Sequence, residues 1–165
     1  MNPENAGEYL SAGASHVIVT SYVFKDGRIS WENLNKMKET VGKEKLVLDL
    51  SCRRKDGKYY IVTDRWQKFT DVTVTLDIMK ELGSYCDEFL VHAVDVEGKA
   101  RGVETELVSL LGEYKGNPVT YAGGVGSMKD IEDLRKYGKD RLDITVGSAL
   151  DLFGGNISFS ELIKL

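Results

Sequence analysis

Cysteine and proline are scarce in this sequence, with two of each in 165 residues. Cys52 and Cys86 are too few and too far apart for a disulfide framework or a zinc site. Reduced thiols in a cytoplasmic protein are therefore the expectation. No apolar run approaches the roughly 18 residues of a membrane-spanning helix, so no membrane partner is expected. The opening residues, Met-Asn-Pro-Glu-Asn-Ala-Gly-Glu, have neither the basic start nor the apolar centre of a secretory signal. Positive charge is also in deficit: 22 Lys and Arg against 26 Asp and Glu leave a net charge of −4. Without a long basic run, the balance argues against nucleic acid as a partner. One local exception stands out, because Arg53, Arg54, Lys55 and Lys58 crowd around Asp56. That cluster suits an anionic ligand, or simply a solvated loop.

What is present is alternation. Apolar runs rich in β-branched residues occur at 16–20, 46–50, 89–94, 118–122 and 142–146. Nearly continuous runs of this kind fit parallel strands buried on both faces. Between them, helical spacing of apolar residues predicts helices over about 31–41, 75–83, 103–114 and 127–137. Strand–helix alternation of this sort predicts βαβ units in a parallel sheet. One connection breaks the pattern. Residues 52–65 read as a β-hairpin turning at Asp56-Gly57.

The two ends of the chain resemble each other. Near the start, a helix pattern from Pro3 to Leu10 leads to Gly13, an apolar run, and Thr20-Ser21. Near the end, a helix pattern from Met128 to Tyr137 leads to Gly138, an apolar run, and Gly147-Ser148. Repetition at a fixed period signals architecture. Two complete copies of such a period would need about 250 residues, the usual length of a (β/α)8 barrel. The expected fold is therefore α/β: a partial (β/α)8 TIM barrel with a twofold internal repeat. Residues 1–165 would form a single incomplete barrel domain.

In a barrel, the C-terminal ends of the strands carry the chemistry. Here those ends supply Thr20-Ser21, Asp49, His92 with Asp95, Gly123-Gly124, and Gly147-Ser148. The hairpin 52–65 leaves from the same rim, where a long insertion usually covers a substrate. Gly123-Gly124 before a helix offers backbone N–H groups without side-chain obstruction, and the helix dipole adds positive potential. Gly147-Ser148 leads into Ala149-Leu150-Asp151-Leu152, which is expected to form a short extra helix. Loops after the last two strands plus such a helix make the usual barrel phosphate site. By the repeat, Thr20-Ser21 marks a second anion site across the barrel. A small-molecule substrate with a phosphate at each end follows.

The segments 12–24, 46–53 (Leu-Val-Leu-Asp-Leu-Ser-Cys-Arg) and 62–67 (Val-Thr-Asp-Arg-Trp-Gln) strongly resemble one family. So do 92–98 (His-Ala-Val-Asp-Val-Glu-Gly), 121–125 (Tyr-Ala-Gly-Gly-Val) and 147–156. The family is the phosphoribosylformimino-AICAR ribotide (ProFAR) isomerase of histidine biosynthesis, in its eukaryotic-type branch. The resemblance covers essentially the whole chain. It implies a twofold-symmetric (β/α)8 barrel, of which this chain would hold strands four to eight and would start within the third helix. It implies an Amadori rearrangement of a bis-phosphorylated aminoaldose to the aminoketose, with no metal or organic cofactor. The complete enzyme is expected to be a cytoplasmic monomer, and the shorter chain to self-associate.

The resemblance also assigns residues. Asp49 matches the fifth-strand aspartate and takes the general-acid role. Its partner, an aspartate ending the first strand, has no counterpart in this sequence, so the chain alone is expected to be inactive. His92 stands where the family often has threonine, as a neutral donor to substrate or as a packed imidazole. Asp95 fits the sixth loop as a positioning group. Trp66 would stack on the imidazole carboxamide or only anchor the hairpin, with Arg65 or Arg53 reaching a phosphate. The first phosphate motif reads Thr20-Ser21 instead of Gly-Thr, which keeps a hydroxyl but narrows backbone access. Two other readings compete: the related imidazole glycerol phosphate synthase cyclase, and a noncatalytic barrel fragment.

Overall fold

Short apolar runs separated by capped helices build the molecule, and a computed structural model describes residues 1–99 and 102–164. The chain runs through α1 (Pro3–Ser11), β1 (Val17–Val19) and a small hairpin, β2 (Phe24–Lys25) with β3 (Arg28–Ile29). Next come α2 (Trp31–Val41), β4 (Leu46–Asp49), and three strands of an insertion: β5 (Cys52–Lys55), β6 (Lys58–Thr63) and β7 (Lys68–Thr73). The rest alternates: α3 (Leu76–Leu82), β8 (Glu88–His92), α4 (Thr105–Gly112), β9 (Val119–Ala122), α5 (Met128–Tyr137), β10 (Leu142–Thr145) and α6 (Phe159–Leu162).

The five expected strands form one parallel sheet in chain order, β1-β4-β8-β9-β10. The sheet does not close: β1 and β10 remain its edges among the described residues. Side chains alternate across each strand. Val17, Val19, Phe89 and Val91 are buried, together with Leu34 and Met37 of α2, Met79 and Leu82 of α3, and Leu107 and Leu111 of α4. Each such buried side chain is worth roughly 1.5–3 kcal/mol. The residues between them face the other way, and Ile18 is 48% exposed.

Local sequence explains where the helices start. Ser30, Thr75 and Ser127 each accept a hydrogen bond from the backbone N–H three residues on, at Asn33, Ile78 and Asp130. Asn2 and Asn5 do so reciprocally at α1. Such caps contribute about 1 kcal/mol each. Gly138 ends α5 for a different reason than a left-handed turn, since its φ is −79°. A Cβ on Gly112 would lie 2.9 Å from the Gly138 backbone, so the glycines let α4 and α5 meet closely.

The insertion exceeds the expected hairpin. The turn at Asp56-Gly57 is present (φ 51° and 74°), but a third antiparallel strand, β7, follows. Between β6 and β7 the chain turns through Asp64, Arg65 and Trp66, all with positive φ (50°, 55° and 67°). A second Asp-Gly turn, Asp26-Gly27, closes β2–β3. Its Gly27 carbonyl accepts from the Asp71 N–H of β7 at 2.8 Å, joining the two rim hairpins. The extra helix expected at 149–152 is a 3-10 turn over Asp151–Phe153.

Candidate functional site

Asp49 is the last residue of β4, so strand geometry puts its carboxylate at the C-terminal rim. Both oxygens are occupied. Oδ1 accepts from the Ser51 N–H and the Ser51 hydroxyl, each at 2.7 Å. Oδ2 accepts from Thr20 Oγ1 at 2.8 Å. Thr20, expected beside a phosphate, thus faces Asp49 instead of pairing with Ser21. Ser51 is buried, and its oxygen accepts in turn from Trp66 Nε1 at 3.3 Å.

The Trp66 ring meets His92 edge-on at 4.9 Å between centroids. Aromatic pairs prefer such a T-shaped approach. His92 ends β8, and its Nε2 lies 2.8 Å from Glu97 Oε2. Asp49, Ser51, Trp66, His92 and Glu97 therefore form one continuous line along the rim.

His92 also opens onto a cleft of about 250 Å³. Gly123, Gly124, Gly147 and Ser148 line it, together with Glu97, Thr145 and Asn156. The strand-end glycines expected to serve a phosphate are thus gathered around one cavity. Gly124 has a φ of +78°, and a Cβ there would overlap the Gly102 carbonyl oxygen and come within 2.8 Å of Val96. Gly147 differs: among the described residues, and apart from its chain neighbours, no heavy atom lies within 4 Å of where its Cβ would be. Its missing side chain leaves open space at the mouth. Ser127 caps α5 nearby in sequence, and the Gly126 N–H donates to Asp130 at 2.9 Å.

Other expected residues sit apart from this cleft. Arg53 Nε donates to Asp95 Oδ1 at 2.8 Å, and the Arg54 N–H donates to Asp95 Oδ2 at 2.8 Å. Asp95 therefore ties the insertion to the loop after β8, and the Arg53 guanidinium is held by an acid. Arg65 is exposed on the left-handed turn. Ser21 lines a second cleft of about 360 Å³ with Lys25, Thr63, Asp64 and Lys68. Lys68 is paired there with Asp64, which raises its pKa by hydrogen bonding and charge.

The insertion is also clamped from below. Tyr59 donates to Glu104 Oε2 at 3.0 Å, and the Glu104 N–H donates to the Tyr121 hydroxyl at 3.1 Å. Burial pushes the Tyr121 hydroxyl well above its usual range, so it stays a neutral partner. Burial likewise pushes the Cys86 thiol up to about 12 and the Cys52 thiol higher still, which keeps both unreactive. No group of three or more His, Cys, Asp or Glu side chains is placed to hold a metal ion among the described residues. None of their helices is long and apolar enough to cross a membrane.

A sequence profile described as "Histidine biosynthesis protein" matches residues 1–158. The chain belongs to the histidine biosynthesis protein family. Relatives in this family include a chloroplastic 1-(5-phosphoribosyl)-5-((5-phosphoribosylamino)methylideneamino)imidazole-4-carboxamide isomerase of Medicago truncatula. It is 56% identical over 163 residues, covering 99% of this chain and 52% of that protein. Proteins of the same isomerase name from Yarrowia lipolytica and Neurospora crassa are 43% and 44% identical. Those matches cover 99% and 97% of this chain, and 66% and 64% of the relatives. The chain thus spans between half and two thirds of the length of these family members.

Three features of this histidine biosynthesis chain lay outside the sequence expectations: Ser51 as the bridge to Trp66, Glu97 against His92, and the lysines beside Ser21. Glu97 was visible as the polar residue after Asp95 in the sixth loop. The Lys25 and Lys68 placement depends on two hairpins meeting, and no local pattern announces that.

Proposed function

We propose that this chain carries the general-acid and phosphate-binding part of a ProFAR isomerase. The reaction is an Amadori rearrangement of a bis-phosphorylated aminoaldose to the aminoketose. The observation that carries this reading is Asp49, held at the rim by three donors and joined through Trp66 and His92 to the glycine-lined cleft. The isomerase names of relatives at 43–56% identity support it. In this reading the five-stranded sheet is part of a (β/α)8 barrel with a twofold repeat, and its open edges accept further strands. The exposure of Ile18 on the sheet face supports that arrangement.

The chemistry divides along the rim. Ring opening needs a proton delivered to the furanose oxygen, and the later step removes one from C2. Two Ser51 donors commit Oδ1 of Asp49 to accepting, so the acid proton belongs on Oδ2. There Thr20 turns its hydroxyl from donor to acceptor and stays bonded. One phosphate lies among Gly123, Gly124, Gly147 and Ser148, with backbone N–H groups as donors. The other lies near Ser21, and Trp66 packs against the carboxamide ring. Asp95 and Arg53 hold the insertion in place, so of the two candidate arginines Arg65 is the one that reaches a phosphate. The second carboxylate comes from a strand outside this sheet. The chain by itself binds phosphate without turnover and pairs through its open edges, whereas the complete enzyme is monomeric. The two buried free thiols fit a reducing, cytoplasmic setting.

The test supplies ProFAR to the chain alone, and to the chain mixed with the segment of a relative that it does not span. Isomerisation only in the mixture, without ammonia, is the expected result. Ammonia-dependent cyclisation would assign the chain to the related cyclase. A mixture that forms yet leaves ProFAR unchanged would overturn the isomerase reading in favour of a noncatalytic module.

A further inference from the structure

We infer that Ser51 is a positioning residue that couples the Asp49 carboxylate to the Trp66 indole. The inference rests on the reading of Asp49 as the reacting acid, but its geometry stands by itself. Ser51 is 1% exposed, so water does not compete for its hydroxyl. That hydroxyl has one proton to give, and it gives it to Asp49 Oδ1 at 2.7 Å. Its oxygen then accepts from Trp66 Nε1 at 3.3 Å. The direction of both bonds is fixed by chemistry: an indole nitrogen only donates, and an ionised carboxylate only accepts. Hydrogen bonds in such a chain polarise one another, most strongly when one end is charged.

Trp66 has reason to need this hold. It ends a run of three residues with positive φ, a conformation that costs roughly 1–2 kcal/mol for each residue with a side chain. Strain of this kind persists only where surrounding contacts over-determine it. Backbone bonds from the Gln67 N–H to the Thr63 and Asp64 carbonyls and the Lys68–Asp64 pair hold the turn, while the Ser51 hydroxyl and the edge of His92 hold the Trp66 ring. The same hydroxyl that fixes the accepting oxygen of Asp49 therefore fixes the aromatic ring over the site. A ligand that moves Trp66 changes the donor strength of Ser51 toward Asp49. Conversely, the charge on Asp49 sets how strongly the indole is held.

The test uses the 165-residue chain with 15N-labelled tryptophan and no substrate, so it is independent of whether the chain isomerises anything. The two tryptophans give two indole N–H resonances, assigned with Trp31→Phe. Asp49→Asn removes the charge while keeping size and an accepting oxygen. It is expected to move the Trp66 indole proton upfield and to leave the Trp31 resonance in place. In a Ser51→Ala background, Asp49→Asn is expected to produce no further movement of Trp66. A purely structural serine would alter melting but would not abolish the response to Asp49. An unmoved Trp66 resonance in Asp49→Asn overturns the coupling, as does an equal movement with and without the hydroxyl. Should Ser51→Ala lose the fold, Ser51→Cys replaces it. A response reduced relative to serine is then expected, and an undiminished one refutes the inference.

Discussion

At one end of the rim, Asp49 is built from side chains: Thr20, Ser51 and Trp66 each fill a particular hydrogen-bonding role. At the other end, Gly123, Gly124, Gly147 and Ser148 shape a cleft mainly by what they lack. Under the proposed function the first end depends on the identity of each group, because moving a proton needs a titratable atom at a fixed position. The second would then depend on access, because backbone donors serve a phosphate only when nothing stands in front of them. Substitution should therefore act oppositely at the two ends. Conservative changes matter most at Asp49, and bulky ones matter most at the glycines.

The largest expected effect tests the first half of that contrast. In a preparation that isomerises, Asp49→Asn should lower turnover by about 10²–10⁴-fold, the range for general acid catalysis. That is roughly 3–5 kcal/mol at 1.36 kcal/mol per decade. Melting should change little, since asparagine keeps Oδ1 for Ser51 and turns its amide toward Thr20. Near-normal turnover measured on a stable variant would end the proposed role.

The glycines come next, and they should separate from each other. Gly124→Val meets both a positive φ and the Gly102 backbone, so it should cost roughly 2–4 kcal/mol of stability in urea titration. Gly147→Val meets open space and should leave stability within about 0.5 kcal/mol. Its valine would nevertheless occupy the cleft mouth, weakening inorganic phosphate binding by about tenfold, or 1.4 kcal/mol, in calorimetry. If Gly147→Val binds phosphate normally, the cleft is shaped for packing and the contrast fails. A modest effect belongs to Trp66→Phe, which keeps a ring against His92 but removes the indole donor. A loss of about 0.5–1.5 kcal/mol in stability is expected, the usual net worth of one hydrogen bond.

The sheet was legible in the sequence because parallel strands need continuous apolar runs, and the five runs stand out between helical patterns. The bounds of α2 were legible too, since Ser30 caps one end and Gly42 closes the other. The two Asp-Gly turns make a sharper case. Asp56-Gly57 was read as a hairpin, whereas Asp26-Gly27 was not, although their φ angles agree within a few degrees. Strands of two residues, Phe24–Lys25 and Arg28–Ile29, are too short to show alternation, so the turn had no visible flanks. β7 was readable in principle, since Phe69, Thr70, Val72 and Thr73 favour strands. The positive-φ run at 64–66 was not, because none of its residues is glycine. At the site, Asp49 and the paired glycines were visible as strand ends. The division of Thr20 from Ser21 was not, since it depends on where the neighbouring strand delivers its carboxylate.

The bond from the Asp71 N–H to the Gly27 carbonyl links hairpins that belong to different βα units. One hydrogen bond of this kind couples the two hairpins by roughly 0.5–1.5 kcal/mol. Moving β2–β3 away from β5–β7 must break that bond, whereas moving both hairpins together can keep it. The amide proton of Asp71 is thus a clock for their parting: its exchange with solvent keeps time with the separation of the two hairpins, the local fraying of either one included.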